Sequence, residues 1–155
     1  MRHDDIPDDL KRLAFDFFYW FSRFEFALKN ARYLRSTEEG AKAEVNWDEF
    51  IKKNREAYQL AAAGQELIDA NPQRQIVAAD DLAFCHVGFN AGASDLEKVV
   101  RLANTVRNNL FHGGKHGSDY WDEPDRMRDL LTKTINAIDD LAVQTGLQSD
   151  YERYY

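Results

Sequence analysis

The chain has 155 residues, of which 44% are hydrophobic, 30% charged and 13% aromatic, with three prolines and eight glycines; this describes one globular domain over 1–155 and excludes a disordered or fibrous chain. The formal net charge of −7 argues against a basic footprint spread over the surface and leaves room for a local basic pocket. A single cysteine, Cys85, excludes an intrachain disulfide and a four-cysteine zinc site; with no apolar run near the ~18 residues of a membrane helix and no apolar core behind Met1-Arg2-His3-Asp4-Asp5, a cytoplasmic location without a membrane partner is expected.

The first helix is predicted to begin near Pro7, with Asp8 and Asp9 in its first turn, where carboxylates suit the helix dipole. Leu10, Leu13, Phe17, Trp20 or Phe21, Phe24, Leu28 and Ala31 recur at three- and four-residue steps, one apolar stripe down a helix of about eight turns. Phe15, Phe18, Phe26 and Tyr33 widen that stripe, so the helix is expected to be central and these aromatics to pack in the core. Glu25 lies among them and either faces solvent or reaches a basic partner. Lys29, Arg32 and Arg35 suit the negative end of the same helix better than a nucleic-acid patch.

Residues 36–44 are polar, carry Gly40 and read as a loop. A second helix is predicted from Trp47 to Ala63, with Asn46 as its cap and Gly64 as its end. Residues 65–75, with Asn71-Pro72, read as a connection with room for one short helical turn. Ile76-Val77 has strand character but no second strand to pair with, and a short helix over 80–87 is expected instead. Cys85-His86 forms no metal pair in a helix, because adjacent residues point about 100° apart and nothing nearby completes a ligand set.

Ser94 and Glu97 form a capping box that opens the next helix. Leu96, Val99, Val100, Ala103, Val106, Leu110 and Phe111 are its predicted buried side. It ends at Gly113-Gly114, which permit a left-handed turn. After a polar loop over 115–122, Pro124 starts a last helix. Met127, Leu130, Leu131, Thr134, Ile138 and Leu141 give it an apolar face, and Gly146 stops it. The tail from Tyr151 to Tyr155 docks either on the body or on a second subunit.

The densest chemistry lies in Arg107-Asn108-Asn109-Leu110-Phe111-His112. Asn108 and His112 are four residues apart, about 40° from each other on a helix. Arg107 is about 100° from Asn108, and its long side chain can swing over the same end. The three can converge near a helix C-terminus, where the dipole raises the proton affinity of an imidazole and a nearby guanidinium lowers it. Such a set suits metal-independent transesterification of RNA. The imidazole takes the 2′-hydroxyl proton or gives one to the leaving oxygen. The guanidinium forks onto the phosphate and meets growing charge, and the amide orients either group. One histidine cannot be base and acid at once, so a site shared in a symmetric dimer is attractive. Lys115 is either a phosphate contact or plain surface; His116 is either a second acid or base or a solvated loop residue. By spacing alone, the segment also fits an ordinary capped helix end.

Arg107-Asn108-Asn109-Leu110-Phe111-His112-Gly113 resembles the signature of the HEPN superfamily (higher eukaryotes and prokaryotes nucleotide-binding). That pattern has an Arg, a polar residue such as Asn, and a His at a helix end; here four residues separate Arg107 from His112 and Asn108 fills the polar place. The run at 21–29 also looks like the first helix of bacterial members. The resemblance spans most of the chain, and the motif is its specific part. It implies an all-α, up-and-down bundle of four to five helices that dimerises with its motifs face to face. It implies a metal- and cofactor-independent endoribonuclease, often a toxin or anti-phage defence component with a cognate antitoxin or defence-system partner. Arg107, Asn108 and His112 carry over by position, with Glu25 as an accessory candidate. Members silenced by nucleotidylation carry a Tyr two residues after the His; Gly114 stands there, so that route of inhibition is not expected.

Two other readings remain. Some HEPN proteins bind RNA or nucleotides without cutting, and the net charge of −7 favours a non-catalytic module that binds RNA, nucleotide or a protein partner. A purely structural dimer or immunity subunit would bury Arg107 in an ion pair, for instance with Glu25, and leave no open cleft.

Overall fold

A computed structural model describes residues 6–112 and 123–153. Helix α1 (Asp8–Asn30) follows Pro7, carries Asp8 and Asp9 in its first turn and buries Leu10, Phe17, Phe21, Phe24, Ala27 and Leu28. Its end is a reversal in which Tyr33 N–H reaches the Leu28 carbonyl and Arg32 N–H the Lys29 carbonyl, both at 3.0 Å. Arg32 takes the left-handed conformation, φ 64°, that such a cap requires. The helix is therefore shorter than its apolar pattern implied.

Beyond the cap, a bridge between Leu34 and Val45 closes an excursion over 35–44. Arg35 N–H donates to Glu44 O and Asn46 N–H to Tyr33 O, each at 3.0 Å. The Asn46 side chain then accepts Glu49 N–H at 3.1 Å and caps α2 (Trp47–Asn54). This helix stops nine residues earlier than predicted. A turn intervenes, and Ala62–Ala70 forms a separate helix, α3. Gly64 does not end a helix but lies buried inside α3. A Cβ there would meet Tyr58 Oη at 2.7 Å, Leu60 Cδ1 at 2.9 Å and Val99 Cγ2 at 3.2 Å. Glycine serves close packing at this position.

The expected helix over 80–87 is absent. Gln73–Val77 (β1) and Leu82–His86 (β2) pair antiparallel, with Gln73 opposite His86, Arg74 opposite Cys85 and Val77 opposite Leu82. Ala78 N–H donates to Asp81 O at 2.8 Å, and Asp81 Oδ1 accepts Leu82 N–H. The acidic pair Asp80-Asp81 thus makes a turn. The all-α expectation is corrected accordingly: the chain is mostly helical and carries a small two-stranded sheet. Cys85 and His86 are neighbours on a strand and point to opposite faces.

Helix α4 (Asp95–His112) opens where Ser94 Oγ accepts Glu97 N–H at 3.2 Å. It buries Leu96, Val99, Val100, Leu102, Ala103, Val106 and Asn109. Helix α5 (Pro124–Gln144) starts on its proline and buries Met127, Leu130, Leu131, Thr134, Ala137, Ile138, Leu141 and Ala142. Gly146, φ 71°, turns the chain into the short helix α6 (Gln148–Tyr151). α5 packs against α1, α3 and α4, and the hairpin rests on α4 through β1. Arg128 forks onto Asp9, with contacts of 2.7 and 3.2 Å, and joins the starts of α5 and α1. Among the described residues no helix is long and apolar enough to cross a membrane.

The tail docks on the body. Tyr151 is buried and its ring lies 5.1 Å from Trp20 and 6.3 Å from Phe24. The Arg23 guanidinium donates to the carbonyls of Asp150, Tyr151 and Arg153. Tyr154 and Tyr155 lie outside the described residues. The largest departure in packing is on α1. Phe15, Phe18 and Phe26 were expected in the core, yet they are 63%, 47% and 38% exposed, and Phe111 of α4 is 47% exposed. One helix of this width buries one stripe, and the second aromatic stripe is left facing out.

Candidate functional site

Positions 100, 101, 104, 105, 107 and 108 of α4 recur at helical spacing and form one wall of a cleft of about 590 Å³. The start of α2 contributes Asn46, Trp47 and Asp48, α1 contributes Glu25, the excursion Arg35, and the hairpin segment Arg74 and Val87. Four arginines, at 35, 74, 101 and 107, face two carboxylates, Glu25 and Asp48. The balance is positive in a chain of net charge −7. A neighbouring groove of about 330 Å³ shares Glu25, Arg35 and Trp47 and adds Lys29 and Lys42 beside Glu44.

The four guanidinia differ in how far they are engaged. Arg107 Nη2 stands 3.9 Å from Glu25 Oε1, and Nη1 donates to Asn108 Oδ1 at 3.1 Å. Its Cζ lies 5.5 Å from the centre of the Phe111 ring, within the range of a cation–π contact. At 3.9 Å and with both side chains partly exposed, the pair with Glu25 is a loose tether. It stands at an open cleft, not in the closed interior that a purely structural role would need. Arg101 is held by Glu97 at 2.8 Å and by Asp48 at 3.4 Å. Among the described residues Arg74 makes no ion pair, and Arg35 makes no close one, although its charge acts on the Glu44 carboxyl. In the adjoining groove, Lys42 at 2.6 Å holds the Glu44 carboxyl below its ordinary range, first through its hydrogen bond and then through its charge.

Of the residues expected from the sequence, the cleft brings together Arg107, Asn108 and Glu25. His112 is the last residue of α4. It is exposed and does not line the cleft. Its ring lies 6.5 Å from Phe111, which meets the ring of Phe18 at 5.8 Å, edge to face. Lys115 and His116 lie outside the described residues.

Sequence reasoning missed Arg35, Arg74 and Arg101 as cleft residues. Arg35 had been assigned to a helix end, yet the Leu34–Val45 bridge turns it toward α2. Arg74 falls in the segment read as a connection with room for one short helical turn, where the structure has strand β1. Asn109 was also missed. It is 7% exposed, and its Nδ2 donates to the Gln73 carbonyl at 2.6 Å, which ties the hairpin to α4. The signal was present: Val99, Leu102, Val106 and Asn109 share the apolar stripe, and an amide buried on such a stripe needs a partner.

Among the described residues, no group of three or more His, Cys, Asp or Glu side chains is placed to hold a metal ion. The chemistry available is that of fixed cations, amides and one imidazole at a distance. No family model, curated protein or solved structure matches the chain.

Proposed function

We propose that the protein is a metal-independent endoribonuclease of the HEPN type, acting as a homodimer. The observation that carries this reading is an arginine-lined cleft holding Arg107 and Asn108 in an acidic chain, with His112 exposed one turn further along the same helix. Arg107 holds the phosphate and meets charge as it develops. Asn108 orients the phosphate or the imidazole, and His112 moves the proton.

His112 does not line the cleft of its own chain, and one imidazole cannot be base and acid together. A second copy supplies another imidazole. Exposed Phe111 neighbours His112 and leads through exposed Phe18 to exposed Phe15, and a clustered aromatic surface is suited to burial against a partner. This supports a dimer in which the two α4 ends approach each other. A role as toxin or anti-phage component, with a cognate antitoxin or defence partner and a cytoplasmic location, belongs to the same proposal.

The test is incubation of the purified chain with RNA in excess chelator. Cleavage that falls by roughly 10²–10⁴ in His112→Ala, and falls likewise in Arg107→Ala, supports the reading. Intact RNA with the wild-type protein, or cutting by both variants at the wild-type rate, sinks it. The position of His112 outside the cleft favours one alternative, a non-catalytic module that binds RNA, nucleotide or a protein partner. Salt-dependent RNA binding without cleavage selects that alternative.

A further inference from the structure

Arg35 and Arg74 reach the cleft from two segments that are not part of the motif helix. Each is positioned by its own local structure. Arg35 follows the Leu34–Val45 bridge, with its N–H bonded to Glu44 O at 3.0 Å. Arg74 sits on β1 opposite Cys85, one residue from the carbonyl that Asn109 holds. The acids nearby are already committed: Asp48 and Glu97 to Arg101, Glu44 to Lys42, and Glu25 to Arg107.

The chain has 27 acids against 20 lysines and arginines, so counter-ions for two more arginines were plentiful. Arg74 is given none among the described residues, Arg35 shares Glu44 with Lys42 only through space, and both line one concavity with Arg107. Like charges gathered in a cleft repel, and the repulsion is relieved when an anion enters. Guanidinium forks match the oxygens of a phosphate ester better than they match halide or a single carboxylate oxygen. Trp47 lines both the cleft and the adjoining groove and adds an aromatic surface of the kind on which bases stack.

We infer that this cleft is a phosphate-ester site in which Arg35 and Arg74 grip a phosphate other than the one at Arg107. The inference rests on the RNA-directed reading above for its ligand and on the cleft alone for its residues. A strand of RNA and a free nucleotide offer the same phosphate chemistry, and the experiment separates them.

Binding is measured by fluorescence anisotropy in the full chain carrying His112→Ala, in chelator, with a labelled oligouridylate of about twelve nucleotides and, by competition, with ATP. Arg35→Ala and Arg74→Ala are each expected to weaken binding roughly tenfold, the scale of one lost charge-assisted contact. Each is expected to lower the slope of log K against log salt by about 0.7. Arg12→Ala, an exposed arginine on α1 outside the cleft, leaves both unchanged. Arg35→Gln and Arg74→Gln repeat the test with side chains that keep a polar tip, should alanine disturb the local fold. Loss for RNA alone assigns the site to a strand; loss for ATP alone assigns it to a free nucleotide. The inference is overturned if the double variant keeps wild-type affinity and slope for both probes, or if neither probe binds the parent chain. A wild-type protein that binds but leaves RNA intact sinks only the ribonuclease reading. One that cuts RNA and is indifferent to the double substitution sinks only this site.

Discussion

Asn109 holds the Gln73 carbonyl at 2.6 Å from a position on the buried stripe of α4. The amide thus helps to tie the hairpin, and with it Arg74, to the helix that carries Arg107. Replacing it with alanine removes that bond and leaves a gap in the stripe. Asn109→Ala is expected to cost about 1–3 kcal/mol and to loosen the hairpin before the helices. Hydrogen exchange reads this directly: amides of 73–86 speed up while those of α1 and α5 keep their protection. Uniform acceleration across the chain would mean that Asn109 acts on global stability alone.

Tyr58 and Gly64 form a second coupled pair. The Tyr58 hydroxyl is buried without a hydrogen-bond partner among the described residues, and burial raises its pKa to about 12. The same oxygen is the nearest atom to a Cβ built on Gly64. Gly64→Ala is expected to cost about 1–3 kcal/mol by overpacking. Tyr58→Phe removes an unsatisfied hydroxyl and is expected to be neutral or stabilising by up to about 1 kcal/mol. In the double variant the alanine costs less than it does alone, a coupling that urea denaturation of the four proteins resolves. Strict additivity would show that the two side chains do not share the space.

Tyr151 donates its hydroxyl to Asp139 Oδ1. Burial raises the Asp139 carboxyl above its ordinary 3.8, and the bond from Tyr151 pulls the other way. For a carboxyl whose folded pKa lies above its unfolded one, the associated stability is fully present below about 3.8 and is lost as pH rises through the folded value. Tyr151→Phe removes the opposing bond, raises the folded pKa further and so deepens that loss. The variant is expected to be less stable than wild type by about 1 kcal/mol at pH 7, near the low end for a bond to a charged group because Asp139 keeps contact with solvent. The deficit shrinks as pH falls toward 4. Denaturation at both values checks it, and a deficit independent of pH would assign the loss to packing.

Glu25 is the counter-charge of Arg107 at 3.9 Å and an acid inside a cleft proposed for phosphate. Glu25→Gln is expected to tighten oligouridylate binding roughly threefold to tenfold and to change stability by no more than about 0.5 kcal/mol. Weaker binding would instead make Glu25 the residue that positions Arg107.

The helices were legible where one stripe decided them. Ser94 with Glu97, Pro124 and Gly146 marked ends that the chain uses, because caps act locally. Gly64 misled because its role is set by contacts with Tyr58, in the turn before α3, and Val99, on α4, which no local pattern reveals. The hairpin was missed because each strand is five residues long and its pairing partner cannot be read from either alone. The outer aromatics of α1 were misplaced because apolar character does not say how many faces a helix buries. In the cleft, Arg107 and Asn108 lie on the wall that α4 forms, but the convergence with His112 that their spacing allows is not seen. Arg35 and Arg74 were not legible, since the bridge at Leu34 and the bond from Asn109 that bring them in are tertiary.

The contrast between the cleft and the rest of the molecule has a kinetic side. With cations gathered beside α4 in a chain whose total charge is −7, the molecule carries a permanent electric dipole. For the phosphate-ester site proposed above, the net charge opposes a polyanion and the cleft's arginines attract it. Added salt then acts in two opposed ways, screening the repulsion at long range and the attraction at short range. Where the two effects offset, association rates are expected to vary less steeply with ionic strength than dissociation rates do.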